Sequence, residues 1–340
     1  MLSPLIVAVF LIGYLFITLE DVIKVNKAAV ALLMCVACWV LYTLGAAEYV
    51  PMFYANELNS SGEAVMNFVT SHILREHLGE ISETLFFLMG AMTVVEIIDT
   101  NGGFNFVRDA LRSKTKRSLL WKIAFITFFL SAVLDNLTST IVMIMVLRKL
   151  VYNHEDRLYY VGLIVISANA GGAFSPIGDV TTIMLWIKGS VTAVGVMKEI
   201  FLASLAAMVV PALLLQYHLH GTLGSAEQSE EKAVANVHRF SGFERRLIFF
   251  FGVGGLLFVP IFHSLTHLPP YLGILLVLGL LWTLTEVLYR TKKHRDSTTK
   301  QRVATILSKI DMTTIIFFLG ILLAVATLNF KTLLFKSLCN

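Results

Sequence analysis

The sequence predicts an all-α polytopic membrane protein with a re-entrant hairpin and a broken helix in its middle. Three observations carry this. Of the 340 residues, 56% are hydrophobic and 15% charged, with a mean hydropathy of +0.76; a water-soluble domain lies nearer about 45–50% and about 25%. Apolar runs of membrane-spanning length recur along the chain. Finally, two polar segments, 131–140 and 169–182, interrupt lipid-grade sequence, where an acid costs about 3 kcal/mol or more and marks function by default.

The spans follow from runs of about 20 mostly apolar residues. They lie near 3–19, 28–45, 83–98, 159–187, 199–219, 246–263, 270–289 and 312–330. Met1-Leu-Ser-Pro-Leu lacks the basic region and small-residue cleavage site of a signal peptide, so the first run is read as a span. Cys35 and Cys38 merely share a helix face, no second pair completes a metal site, and Cys339 is remote from both. The net charge of +4 requires no nucleic-acid partner.

Segment 119–149 is different. Its apolar pieces, 123–134 and 140–147, each reach about halfway across a bilayer and flank Asp135-Asn136-Leu-Thr138-Ser139. Lys114, Lys116, Arg117 and Lys122 precede it, and Arg148, Lys149 and Arg157 follow it. Basic flanks on both sides put both ends in the cytoplasm, which a hairpin satisfies and a single crossing does not. Loops 99–122, 148–158, 221–245 and 290–311 are then inside, and 46–82 outside. The inside loops are rich in Arg and Lys, whereas the outside stretch carries Glu48, Glu57, Glu63, Glu76 and Glu80 against Arg75.

Residues 222–245 read as a polar cytoplasmic linker between two halves. Residues 1–80 supply N-terminal spans and a periplasmic segment. Residues 81–221 form a first repeat, with the hairpin at 119–149 and the broken helix at 159–187. Residues 246–340 begin a second repeat. Thr84-Leu-Phe-Phe-Leu-Met-Gly90 is echoed by Ile315-Ile-Phe-Phe-Leu-Gly320, and the loop charges give the two opposite orientations. That is the mark of an inverted-repeat transporter.

The two polar segments offer a set of oxygen ligands suited to a hard cation such as Na+. Asp135, Asn136, Thr138 and Ser139 stand in the first, with Ser131 just before them. Asn169, Ser175, Asp179, Thr181 and Thr182 stand in the second. Gly171, Gly172, Pro176 and Gly178 are read as the residues that break the second helix and admit close approach. Two acids in one cavity suit proton coupling, because desolvation and mutual repulsion favour a protonated carboxyl. Thr93, Thr127 and Thr140 are assigned the ordinary role of bonding the preceding turn. His77, with Glu80 and Glu83, is a candidate pH sensor, against a bland reading as a solvated interfacial cluster.

At these residues the chain resembles the NhaD-type sodium/proton antiporters of the ion-transporter superfamily. The match is carried by Ser82–Glu96, Leu134–Met143, Ala168–Thr182 and Phe317–Val325. The resemblance implies exchange of Na+, or Li+, for H+ across a bacterial inner membrane, with Ser131, Asp135, Asn136, Asn169, Asp179, Thr181 and Thr182 as functional residues. His77 and Glu83 match more loosely. It also implies a two-repeat design, of which a second hairpin and second broken helix are not found before Asn340; the second half-site is expected to be missing and the chain truncated. The expected partners are the lipid bilayer, Na+, H+ and a second copy in a homodimer, with no cofactor, no enzymatic activity and no nucleic acid.

Two other readings compete. An oxyanion or carboxylate carrier of the same architecture would prefer Arg or Lys at the hairpin tip, where Asp135 stands. An intramembrane aspartyl protease is suggested by Gly178-Asp179 and Pro211-Ala-Leu213, but the first glycine of its Gly-x-Gly-Asp motif is replaced by Pro176.

Overall fold

The computed structural model of the chain describes residues 3–54, 58, 64–104, 107, 110–111, 113–151, 153–222, 241–292 and 306–328. Its architecture among these residues is helical, with one isolated antiparallel bridge, Thr115 to Thr222. The linker at 222–245, the tail after Leu328 and the basic stretch 293–305 fall largely outside the described residues.

The helices are α1 (Ser3–Thr18), α2 (Glu20–Ile23), α3 (Lys27–Leu44), α4 (Ala46–Phe53), α5 (Val65–Phe68), α6 (Leu74–Thr100), α7 (Lys116–Ser131) and α8 (Asn136–Leu150). They continue with α9 (His154–Ala173), α10 (Val180–Ile187), α11 (Ala193–Leu215), α12 (Gly242–Thr266), α13 (Pro270–Lys292) and α14 (Met312–Ala326). Among the described residues, five helical stretches are long and apolar enough to cross a membrane: Lys27–Leu44, Val65–Thr100, Ala193–Leu215, Gly242–Thr266 and Pro270–Arg290. Their outer faces are paved with exposed apolar side chains, among them Leu33 at 73% and Leu202 at 73% exposure. Water does not tolerate so much apolar surface; the chain is a multi-pass membrane protein.

The chain divides into two compact units, one of residues 1–86 and 311–340 and one of residues 87–310. In the first, α3 packs on α1 and α14. Its core gathers Met34, Cys38, Trp39, Tyr42, Phe68 and Ala324, and Trp39 Nε1 donates to the Leu323 carbonyl at 2.9 Å. Gly320 sits against the Ala31 backbone, where a Cβ would come within 2.8 Å of carbonyl carbon. Cys35 and Cys38 are buried free thiols within this core.

Within 46–82, α5, a π-helical turn at Val69–Ile73 and the start of α6 belong to one continuous 36-residue helical stretch, Val65–Thr100. Phe68, Val69 and Ile73 are buried in the core of the first unit, and this apolar face holds the segment helical while Arg75, Glu76 and Glu80 stay exposed.

The second unit holds the hairpin. Thr115 caps α7 by accepting from the Ser118 amide at 3.3 Å, and Asn153 caps α9 by accepting from the Glu155 amide at 2.9 Å. At the base, Lys116 pairs with Asp156 at 2.5 Å, and Tyr160 donates to the Lys116 carbonyl at 2.8 Å. At the other end Ser131 Oγ donates to the Ala168 carbonyl at 2.6 Å, so α7 and α9 run parallel. Asn136 at the start of α8 meets Asn169 near the end of α9 at 3.0 Å, and only residues 151–153 join α8 back to the start of α9. Hence α8 runs antiparallel to both. The hairpin is formed, with Asp135 at its tip.

The arms are longer than the apolar pieces suggested. They contain 16 and 15 residues, roughly 24 and 22 Å, because Lys116, Arg117 and Asn136–Ser139 all join the helices. Segments at the hairpin base and at the ends of α6 and α13 are also tied to distant parts of the chain. Lys116 N bonds the Gly221 carbonyl at 3.2 Å, and Trp121 Nε1 donates to Gln216 at 3.3 Å. Tyr289 bonds Asn101, and Lys309 pairs with Glu96 at 3.6 Å.

Candidate functional site

The tip of the hairpin is a capped helix start. Asp135 has extended backbone (φ −67°, ψ 157°) and occupies the N-cap of α8. One carboxylate oxygen accepts from the Thr138 amide at 2.8 Å and the other from the Thr138 hydroxyl at 2.5 Å. A carboxylate there satisfies orphan amides and the helix dipole together. Its other surroundings are apolar: it is the one polar side chain lining a pocket formed by Phe87, Leu88 and Val95 of α6, Leu134 of the tip, Ile177 of the break and Leu256 of α12. These pocket residues of α6 and α12 carry no polar signal, and only the fold reveals their place.

The second segment breaks where a helix cannot continue. The α9 helix runs through Gly171 and Gly172 to Ala173, unwinds over 174–179 and resumes as α10 at Val180. Gly171 and Gly172 therefore do not break the helix as expected; they let backbones meet. A Cβ on Gly171 would lie 2.0 Å from the Phe128 carbonyl oxygen, and one on Gly172 would lie 2.6 Å from that of Gly178. Gly178 in turn lies against the Ser131 carbonyl, 2.5 Å from its ideal Cβ. Pro176, which lacks an amide to donate and disfavours helical backbone before it, sits buried in the unwound stretch. Phe174 stacks on Phe128 at 5.0 Å and meets Phe201 edge-on at 5.2 Å, pinning the break against α7 and α11.

The predicted polar residues fall into three groups. Ser131, Asn136 and Asn169 lie together at the crossing of hairpin and broken helix, joined by the two bonds given above; the Asn169 amide also donates to the Val165 carbonyl at 2.8 Å. Asp179 begins α10 without capping it and accepts from the Thr181 hydroxyl at 2.8 Å. Ile177 and Ile183 on either side of Asp179 line the same pocket as Asp135. Ser175 is buried and its Oγ accepts from the Ile177 amide at 3.3 Å, while Thr182 is buried on α10. Ser139 is buried on α8 with no hydrogen-bond partner for its hydroxyl.

Thr93 and Thr140 bond the preceding turn as expected, at 2.6 and 2.7 Å. Thr127 does not: its Oγ1 is buried and unpartnered. His77 and Glu83 belong to the first unit. There His77 lies 3.9 Å from Glu80 and its ring 6.5 Å from that of Trp39.

Among the described residues, no group of three or more His, Cys, Asp or Glu side chains assembles as a metal site. The oxygens on offer are one carboxylate per segment with hydroxyls, amides and unwound carbonyls. Such a set suits a singly charged hard cation better than a tightly held divalent ion.

Comparison with known proteins finds relatives named as transporters and antiporters. Residues 14–331 match the family model described as citrate transporter. The chain is 43% identical over 320 residues to Sodium/proton antiporter 1 of Arabidopsis thaliana, covering 94% of this chain and 51% of that protein. It is 41% identical to Sodium/proton antiporter 2 of the same plant, covering 94% of this chain and 70% of that one. With the Na(+)/H(+) antiporter NhaD of Vibrio cholerae it shares 28% identity over 94% of its own length and 67% of the relative's. The chain thus spans about half the length of the first of these relatives.

Proposed function

The chain belongs to the citrate-transporter family, and from that premise we propose that it forms part of a pathway exchanging Na+ (or Li+) for H+ across its membrane. The observation that carries this is Asp135, a carboxylate at the tip of a hairpin in an otherwise apolar lining. A charge held there needs compensation. A proton compensates it by neutralising it, and a cation does so by pairing with it. Because one carboxylate takes one or the other, binding of Na+ displaces H+, and exchange follows if access alternates between the two sides.

Each residue then has a role. Thr138 holds the carboxylate by two hydrogen bonds, leaving lone pairs for an incoming ion. Asn136 and Asn169 present amide oxygens at the crossing, and Asp179 with Thr181 offers the second anionic oxygen set. Ser131, Ser175 and Thr182 supply buried hydroxyls around them, with Ser139 one turn further along α8. The names of the plant and bacterial relatives support this reading. A bacterial inner membrane, a second repeat completing the site, a homodimer and pH sensing by His77 and Glu83 remain parts of the same proposal.

The family description favours a second reading, carriage of a carboxylate such as citrate. Against it, the first helix start at the tip is already occupied by the Asp135 carboxylate, which repels an anion. Proteoliposomes with an imposed pH gradient separate the two. On the proposed reading Na+ collapses the gradient and citrate does not; citrate uptake without Na+-dependent proton movement refutes it.

A further inference from the structure

Thr127 on α7, Ser139 on α8 and Ser167 on α9 are each at 0% exposure, and none of the three hydroxyls has a hydrogen-bond partner. Other hydroxyls of the spans behave differently. Those of Thr93, Thr140 and Thr285 donate to the carbonyl four residues back, at 2.6, 2.7 and 3.0 Å. A buried hydroxyl that forgoes this bond keeps its donor and its acceptors for another group.

The contacts of the hairpin set their heights. Ser131 on the Ala168 carbonyl aligns α7 with α9, and Asn136 on Asn169 aligns α8 with α9. Thr127 lies one turn before Ser131, Ser139 three residues after Asn136, and Ser167 one residue before Ala168. At 1.5 Å per residue all three fall within about 5 Å of one another along the bundle. The three helices pack mutually, and the three buried hydroxyls lie within one helical turn of one another in height.

We propose that Thr127, Ser139 and Ser167 together hold a buried water molecule, one helical turn beneath Asp135. Three hydroxyls provide donors and acceptors in the mixture a water matches, and buried waters typically make about three hydrogen bonds. A bare cation fits this set poorly, because no anionic oxygen belongs to it and hard cations need a larger oxygen shell. The Ser139 amide donates to the Asp135 carbonyl at 3.0 Å, which ties the water, the hydroxyl and the cap of the hairpin tip into one unit. This holds whether or not the chain exchanges ions.

Radiolytic hydroxyl-radical labelling of the full chain in lipid nanodiscs tests it, because radicals born from a bound water oxidise their neighbours. Met143, one turn beyond Ser139 and at 0% exposure, is the reporter, and Met208, equally buried on α11, is the control. Met143 is expected to oxidise several-fold faster than Met208, and the excess to vanish in the triple variant T127V/S139A/S167A. Thermal unfolding gives an independent arm. Each single substitution strands the remaining hydroxyls and lowers Tm, while the triple variant recovers to the parent value or above. Equal labelling of the two methionines, additive losses in the triple variant, or labelling of Met143 that collapses when Na+ replaces choline would each overturn the proposal.

Discussion

Gly171→Ala is the most severe single perturbation the fold offers at small chemical cost. The added methyl would stand 2.0 Å from the Phe128 carbonyl oxygen, 2.8 Å from its carbon and 2.9 Å from its Cα. Carbon atoms in contact sit at about 3.5–4.0 Å, and all three obstacles are backbone, so α7 and α9 must separate by on the order of 1 Å. Overpacking of this kind costs about 1–3 kcal/mol. Separation also lengthens the Ser131–Ala168 bond, for about 1 kcal/mol more. Gly162→Ala is the internal control: it lies on the same helix with nothing within 4 Å of its ideal Cβ, and gains up to about 1 kcal/mol of helix propensity. Because Gly171 lies in the same helix, the propensity gain is common to both, and the two variants should differ by about 2–4 kcal/mol. Thermal unfolding of the purified chain in detergent, read by fluorescence-detected size exclusion, ranks them. If G171A melts with G162A, the close approach of hairpin and broken helix is wrong.

Asp135→Asn keeps a good N-cap residue and should leave Tm nearly unchanged, whereas Asp135→Ala also removes the cap and costs about 0.5–2 kcal/mol; the two melting curves check this. Tyr160→Phe removes the bond to the Lys116 carbonyl at the hairpin base, for an expected loss of about 0.5–1.5 kcal/mol by the same unfolding assay. Hydrogen bonding by the Thr314 side chain first of all holds the Asp311 carboxyl below its ordinary 3.8. A lowered folded-state pKa contributes stability that is present above 3.8 and lost as pH falls through the folded value. Thr314→Val should therefore flatten the loss of stability below pH 3.8, as seen in Tm measured against pH.

Much of this architecture was legible because its causes are local. Lys116 and Arg157 at either foot of the segment announced a hairpin, and the cost of an acid in an apolar run singled out Asp135 and Asp179. Charge said nothing of the helix at 65–82, which rests on burial of Phe68, Val69 and Ile73 in a core drawn from distant segments. Gly171 and Gly172 carried a signal that admits two readings, a broken helix or a close contact, and only the position of Phe128 decides between them. Thr127 and Ser167 were invisible as polar groups of interest. A hydroxyl's freedom depends on which neighbour helix it faces, and no spacing within one helix encodes that. The apolar wall around Asp135, drawn from α6 and α12, likewise depends on packing between distant segments.

The central claim is that one carboxylate at the hairpin tip binds Na+ and H+ in competition. Equilibrium binding of radiolabelled Na+ to the purified chain, measured across pH with and without Asp135→Asn, tests it most directly. The account predicts saturable binding that Li+ displaces, that weakens as pH falls and that disappears in D135N while the melting curve does not change. Undiminished, pH-dependent Na+ binding by D135N would contradict it.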